Sequence, residues 1–104
     1  MDYEKALKSG KVVFLDFYAN WCPICRGEGP ELHAGFNALN TDKLVGFRVN
    51  YNDTDTDANE KKLAQQLQIP YQHYKVIIKD GKAVYQNGDT WDREMFVQEI
   101  GKFL

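Results

Sequence analysis

The chain has 104 residues, 43% of them hydrophobic and 27% charged, with 13 Lys and Arg against 15 Asp and Glu and a net charge of −2. That length holds one core and no second, the composition is not that of a disordered chain, and the scattered basic residues argue against a nucleic-acid surface. The longest apolar stretch, from Val12 to Ala19, is too short to be a transmembrane segment, and the polar, helix-like first residues do not read as a signal peptide.

Asp2 to Ser9 reads as a short helix stopped by Gly10. Lys11 to Ala19 follows, a near-continuous run of β-branched and aromatic residues, the pattern of a strand buried on both faces. Cys22-Pro23-Ile24-Cys25 comes at once and opens a helical stretch to about Leu39. Leu44 to Tyr51 alternates as a second strand, and Asp57 with Glu60 has the spacing of a capping box for a helix through Leu67. Tyr74 to Lys79 and Ala83 to Gln86 flank the turn Asp80-Gly81, a hairpin that ends at Asn87-Gly88. Phe96, Val97, Ile100 and Phe103 mark a final amphipathic helix. The early strand–helix–strand units require right-handed crossovers and hence parallel strands. The terminal hairpin adds an antiparallel edge, and helices cover both faces. The fold class is α/β, with residues 1–104 as a single domain.

The two cysteines lie three positions apart. A structural disulfide usually closes a longer loop, because a short one removes little chain entropy. The spacing therefore reads as a redox pair or half of a metal site. The count excludes a four-Cys zinc site, and the spacing of His33 and His73 does not fit a zinc finger. A helix starting at Cys22 brings that sulfur to unpaired backbone N–H groups and the helix dipole, which favour a thiolate. Cys22 is then the exposed, attacking sulfur, and Cys25, one turn in and more buried, resolves the mixed disulfide. Pro23 suits a first helical turn. Ile24 is neutral, and the missing positive charge points to a reductant or middling exchanger rather than a strong oxidant. Gly27 and Gly29 each weaken a helix by roughly 1 kcal/mol relative to Ala, which would let a partner's backbone approach. Asp16 stands in mid-strand among apolar residues, so its pKa must rise or it must find a partner. Asp53, Asp55 and Asp57 mimic the start of a calcium loop, but Ala58 and Ala64 occupy its Gly and Glu positions. The stretch reads as a solvated loop and helix cap.

The run Phe14-Leu15-Asp16-Phe17-Tyr18-Ala19-Asn20-Trp21-Cys22-Pro23-Ile24-Cys25 resembles the active-site segment of thioredoxins, with the buried acid at Asp16, the tryptophan at Trp21 and the helix-kinking proline at Pro30. Lys79-Asp80-Gly81-Lys82 resembles the family hairpin, and Gly88 the glycine after its last strand. The resemblance covers nearly the whole chain. It implies a thioredoxin fold, a central mixed four-stranded sheet with helices on both faces, lacking the family's first strand as in shorter, often membrane-tethered bacterial relatives. It also implies a protein-disulfide reductase or exchange oxidoreductase. In that reading Cys22, Cys25 and Asp16 are catalytic, with Asp16 assisting proton transfer at Cys25. Trp21, Pro23, Ile24, Gln72, His73 and Tyr74 bind substrate, and Pro30 and Arg48 support the site. The redox-active Cys22–Cys25 disulfide is the only redox group, with no further cofactor. The partners are protein thiols and disulfides and an upstream thiol reductant, and the chain acts as a monomer. Arg48 falls where the family often has a lysine near the acid. Arginine stays charged, so an Asp16–Arg48 contact would keep Asp16 ionised.

The departure is in the substrate loop. The position of the family's cis-proline falls on His73, and Pro70 is three residues too early. Some bacterial thioredoxin-like proteins resemble this chain in carrying a Gln-His pair there. The peptide before His73 is then expected to be trans, since a non-proline cis bond costs about 2.5–4 kcal/mol. His73 has three candidate roles: a hydrogen bond to substrate, tuning of Cys22, or metal ligation. His33, on the long helix, reads as ordinary surface. Two other readings stand beside the exchanger. One is a metal or iron–sulfur module using Cys22, Cys25 and His73, completed by a second chain. The other is a redox-inert interaction domain. The missing first strand suggests a soluble piece of a secreted or tethered precursor, and so an extracytoplasmic rather than cytoplasmic setting.

Overall fold

The computed structural model describes residues 2–104. Its elements are α1 (Asp2–Leu7), β1 (Val12–Tyr18), α2 (Pro23–Leu39), β2 (Leu44–Asn50), α3 (Ala58–Gln66), β3 (Tyr74–Lys79), β4 (Lys82–Asn87) and α4 (Arg93–Gly101). The sheet has four strands in the order β2-β1-β3-β4. This is the mixed four-stranded α/β thioredoxin fold expected from the sequence.

β1 lies in the middle of the sheet and is buried along almost its whole length, which explains its near-continuous apolar composition. Alternate residues face opposite ways. Val13, Leu15 and Phe17 join Ala6 of α1, Leu63 and Ala64 of α3, and Val76 and Ile78 of β3 in one core layer. Val12 and Phe14 join Leu32 of α2, Ile77 of β3, and Trp91, Phe96 and Ile100 around α4 in the other. Asp16 falls in the Val12–Phe14 series, so it faces α2. Phe14 sits edge-on to Phe96, with ring centroids 5.0 Å apart. Each large apolar side chain buried in this way contributes roughly 1.5–3 kcal/mol. Gly35 lets α2 and α4 approach: a Cβ there would lie 2.6 Å from Phe96 Cδ1.

β1 and β2 are parallel, joined across α2 as expected. The second strand–helix–strand unit behaves differently, because β3 runs antiparallel to β1. α3 has nine residues and spans only about 13 Å. Both ends of the crossover stay at the dithiol end of the sheet: Tyr51 N donates to Tyr18 O at 2.8 Å, and His73 N to Phe17 O at 2.7 Å. The chain never returns to the far end of the sheet, so β3 must run back along β1. The capping box on α3 is present, with Glu60 N donating to Asp57 Oδ1 at 2.7 Å and Asp57 N to Glu60 Oε1 at 3.1 Å.

Candidate active site

Cys22 is the N-cap of α2, with extended backbone (φ −92°, ψ 112°), and Pro23 opens the helix. The amide of Cys25 donates to Cys22 Sγ at 3.1 Å. An N-cap acceptor normally satisfies one of the free amides of a helix start. Here the acceptor is a sulfur, and an N–H aimed at it stabilises negative charge on it. Both thiols are free. They are equally enclosed, each 2% exposed, so the expected contrast of an exposed Cys22 and a buried Cys25 is not what separates them. Both cysteines pack with Ala19 and Tyr18 in one small buried cluster, and that packing shields both sulfurs. What separates them is the role of each: Cys22 Sγ accepts the Cys25 amide, while Cys25 is the thiol held protonated. Burial pushes the Cys25 thiol up to about 12, against a lowering from the Ala19 backbone, and Cys22 and the Asp16 carboxylate add to the rise.

Trp21 and Ile24, the chain neighbours of the two sulfurs, are half exposed, giving the dithiol an apolar rim. Trp21 is held by its Nε1, which donates to Asn52 O at 3.0 Å. The preceding residue is fastened to the same loop. Asn20 N donates to Asp53 Oδ2 at 2.7 Å, and its side-chain amide to Thr54 Oγ1 at 2.8 Å and Asp55 Oδ2 at 3.1 Å. Burial alone would raise the Asp53 carboxyl, but bonds from Asn20, Thr56 and Asp55 outweigh it and hold it below the usual carboxylate range. The acidic loop is thus a clamp and a helix cap.

Asp16, Glu28 and Lys75 lie behind Cys25, and all are buried. Lys75 Nζ sits 2.5 Å from Glu28 Oε2. It also donates to His73 O at 2.7 Å and Asp89 O at 2.6 Å. Glu28 Oε2 accepts from Trp91 N at 2.6 Å. The sequence reading missed this pair. A signal existed: Glu28 is three positions after Cys25, on the same helical face, and Lys75 interrupts an apolar strand. Asp16 is pushed up to about 7, by burial first and by the Glu28 charge second, with Lys75 and Arg48 opposing. The expectation of an ionised Asp16 held by Arg48 is therefore corrected. The two are register partners across β1 and β2, yet no ion pair joins them among the described residues. The Arg48 guanidinium lies over the Tyr18 ring instead, 4.2 Å from its centroid, because an exposed cation keeps its hydration while stacking on an aromatic face. Asp16, Arg26, Pro30, His33 and Arg48 line an open groove of about 720 Å³ between α2 and β2. Among the described residues nothing lies within 4 Å of where a Cβ on Gly27 or Gly29 would sit.

In the Gln72–Tyr74 segment, the peptide before His73 is trans and His73 adopts a left-handed conformation with φ of 53°. Its amide is used by Phe17 and its carbonyl by Lys75. Its Nδ1 is buried without a partner, and its ring lies 5.4 Å from Tyr71, which in turn meets Tyr74 edge-on. Tyr71 rests on Gly88, where a Cβ would overlap its hydroxyl. Among the described residues no group of three His, Cys, Asp or Glu side chains is arranged to hold a metal ion, so Cys22, Cys25 and His73 do not form such a group within one chain. No helix among the described residues is long and apolar enough to cross a membrane.

Comparison with known proteins agrees with this geometry. The thioredoxin family profile matches residues 1–102. The chain belongs to the thioredoxin family. Among solved structures, Trxlp from Edwardsiella tarda EIB202 is similar with a TM-score of 0.75 and 27% identity, over 99% of this chain and 90% of that one. A thioredoxin of Mycobacterium tuberculosis is 31% identical over 78 residues, which is 75% of this chain and 61% of its own length. Thioredoxin-2 of Pyricularia oryzae is 30% identical over 83 residues, 80% of this chain and 44% of the fungal protein. A chloroplast thioredoxin-like protein of Arabidopsis thaliana is 42% identical over 33 residues, 32% of this chain and 13% of the plant protein. The chain thus spans less than two thirds of the length of each of these curated relatives. At family level the chemistry is thiol–disulfide oxidoreduction, and this chain carries the Cys22/Cys25 pair for it.

Proposed function

We propose that this chain reduces or exchanges disulfides of protein substrates through Cys22 and Cys25. The observation that carries the reading is the Cys25 amide aimed at Cys22 Sγ, next to a Cys25 thiol that stays protonated. The Cys22 thiolate attacks one sulfur of the substrate disulfide, forms a mixed disulfide and releases the other sulfur as a thiolate that takes up a proton. That step removes the Cys22 charge and the sulfur acceptor, both of which raise the Cys25 pKa. Cys25 then gives its proton to the Asp16 carboxylate and attacks Cys22 Sγ. The second substrate sulfur leaves as a thiolate that takes up a proton, and Cys22 and Cys25 remain as a disulfide. Two electrons have passed to the substrate, and an upstream dithiol returns them. Asp16, poised at about 7, suits proton transfer near neutral pH, and the groove it lines gives its proton a way to water. Trp21, Ile24 and Tyr71 would meet apolar side chains of the substrate, and the Gln72–Tyr74 segment would flank its extended backbone. The neutral Ile24 fits a reductant or middling exchanger.

The test uses insulin as the disulfide substrate. Cys22→Ser is expected to abolish turnover. Cys25→Ser is expected to accumulate a covalent mixed disulfide, visible by intact mass. Turnover retained by Cys22→Ser, or trapping by it, contradicts the assignment.

A further inference from the structure

An ion pair deep in a core contributes little over a well-packed apolar pair of the same volume. Glu28 and Lys75 therefore call for another explanation, and their surroundings supply one. Lys75 is the register partner of Asp16 across β1 and β3, and its ammonium donates to the carbonyl of His73 in the substrate loop. Glu28 stands one helical turn after Cys25. Its Oε2 is occupied by Lys75 and Trp91, while its Oε1 is buried without a partner. Two carboxylates thus share one interior with a single ammonium, and Glu28 has taken it.

We propose that Glu28 and Lys75 are positioning residues whose ion pair sets how firmly Asp16 holds its proton, and through Asp16 the pace at which the mixed disulfide is resolved. The proposal rests on the exchange reading. The charged and titratable groups facing Asp16 are Lys75 from β3, Arg48 from β2, and Cys25, Arg26, Glu28 and His33 from α2. Arg26, His33 and Arg48 are exposed, so water and salt screen them. Glu28 and Lys75 are not screened. While Glu28 holds the ammonium, Asp16 feels a buried negative charge and binds a proton more firmly. Without the Glu28 charge, Lys75 is left to Asp16, which ionises more readily.

The experiment follows the Asp16 carboxyl by ¹³C NMR against pH in the wild type, Glu28→Gln, and Glu28→Leu with Lys75→Met. The same proteins are then scored for the pH dependence of mixed-disulfide decay. In Glu28→Gln the Asp16 inflection is expected to fall by about one pH unit or more, with the decay profile moving in step. In the double variant, which loses opposing charges, it is expected between Glu28→Gln and the wild type. An unmoved or raised inflection in Glu28→Gln overturns the proposal, as does an NMR shift that leaves the decay profile in place. Should Glu28→Gln not fold, the apolar double variant decides: an inflection below wild type supports the proposal, and one at or above it overturns it. The NMR titration needs no turnover. A wild type that reduces no insulin disulfide would therefore sink the exchange reading and be told apart from failure of the ion pair.

Discussion

The dithiol lies between two loops held by different physics. On one side, Asn20 and Trp21 are tied to residues 52–55 by four short hydrogen bonds, all at least partly open to water. On the other, the His73 segment is held through its own amide and carbonyl, the latter on the Lys75 ammonium, which is fully buried. The first arrangement is redundant, since water can replace any one bond at small cost. The second concentrates its hold in one cation whose removal strands a carboxylate in a dry interior. A left-handed His73 and a buried lysine shape this second loop.

That contrast can be broken by substitution. Lys75→Met should cost about 3–5 kcal/mol in chemical denaturation, because Glu28 is left charged and unpaired. Adding Glu28→Leu should recover most of the loss, and a double variant as unstable as the single one would show that the charge is not the cause. Asp16→Asn should act in the opposite direction and with pH. The folded pKa of Asp16, about 7, lies above its unfolded value near 4. The wild type therefore loses stability as pH climbs between those two values. The variant's advantage should be near zero at pH 4 and reach roughly 4 kcal/mol above pH 7, while its mixed disulfide resolves more slowly. A gain of equal size at pH 4 and pH 8 would contradict this origin. The redundant loop should respond least. Asp53→Ala should cost only about 1 kcal/mol at neutral pH, and the difference from wild type should shrink in strong acid. The folded pKa of Asp53 is depressed, so its contribution is present above the ordinary carboxylate range and lost as pH falls through the lower folded value. A loss at Asp53 as large as that at Lys75 would erase the distinction between the loops.

Much of the fold was legible because periodicity and caps are local. The near-continuous apolar run of β1, the capping box of Asp57 and Glu60 and the turn at Asp80-Gly81 are written in neighbouring residues. The site was legible as far as Cys22, Cys25 and Asp16 carry it, since strand, dithiol and helix follow one another. The direction of β3 was not, because it depends on where the short α3 crossover ends. Nor was the partner of Arg48: the family resemblance put it near Asp16, but the choice between a carboxylate and the Tyr18 ring is made by side-chain geometry. Glu28 and Lys75 were the largest omission. Each breaks an apolar pattern, and only the packing of α2 over β3 joins them. The shielding of Cys22 is likewise a product of the turn's packing, not of its sequence.

The division of labour between the two sulfurs is the centre of this account, and limiting alkylation tests it most directly. The reduced protein is treated at neutral pH with substoichiometric iodoacetamide, and the label is mapped by peptide mass. With Cys25 held protonated up to about 12 and the Cys25 amide aimed at Cys22 Sγ, the label should fall on Cys22. Preferential labelling of Cys25 would contradict the assignment of attacking and resolving thiols.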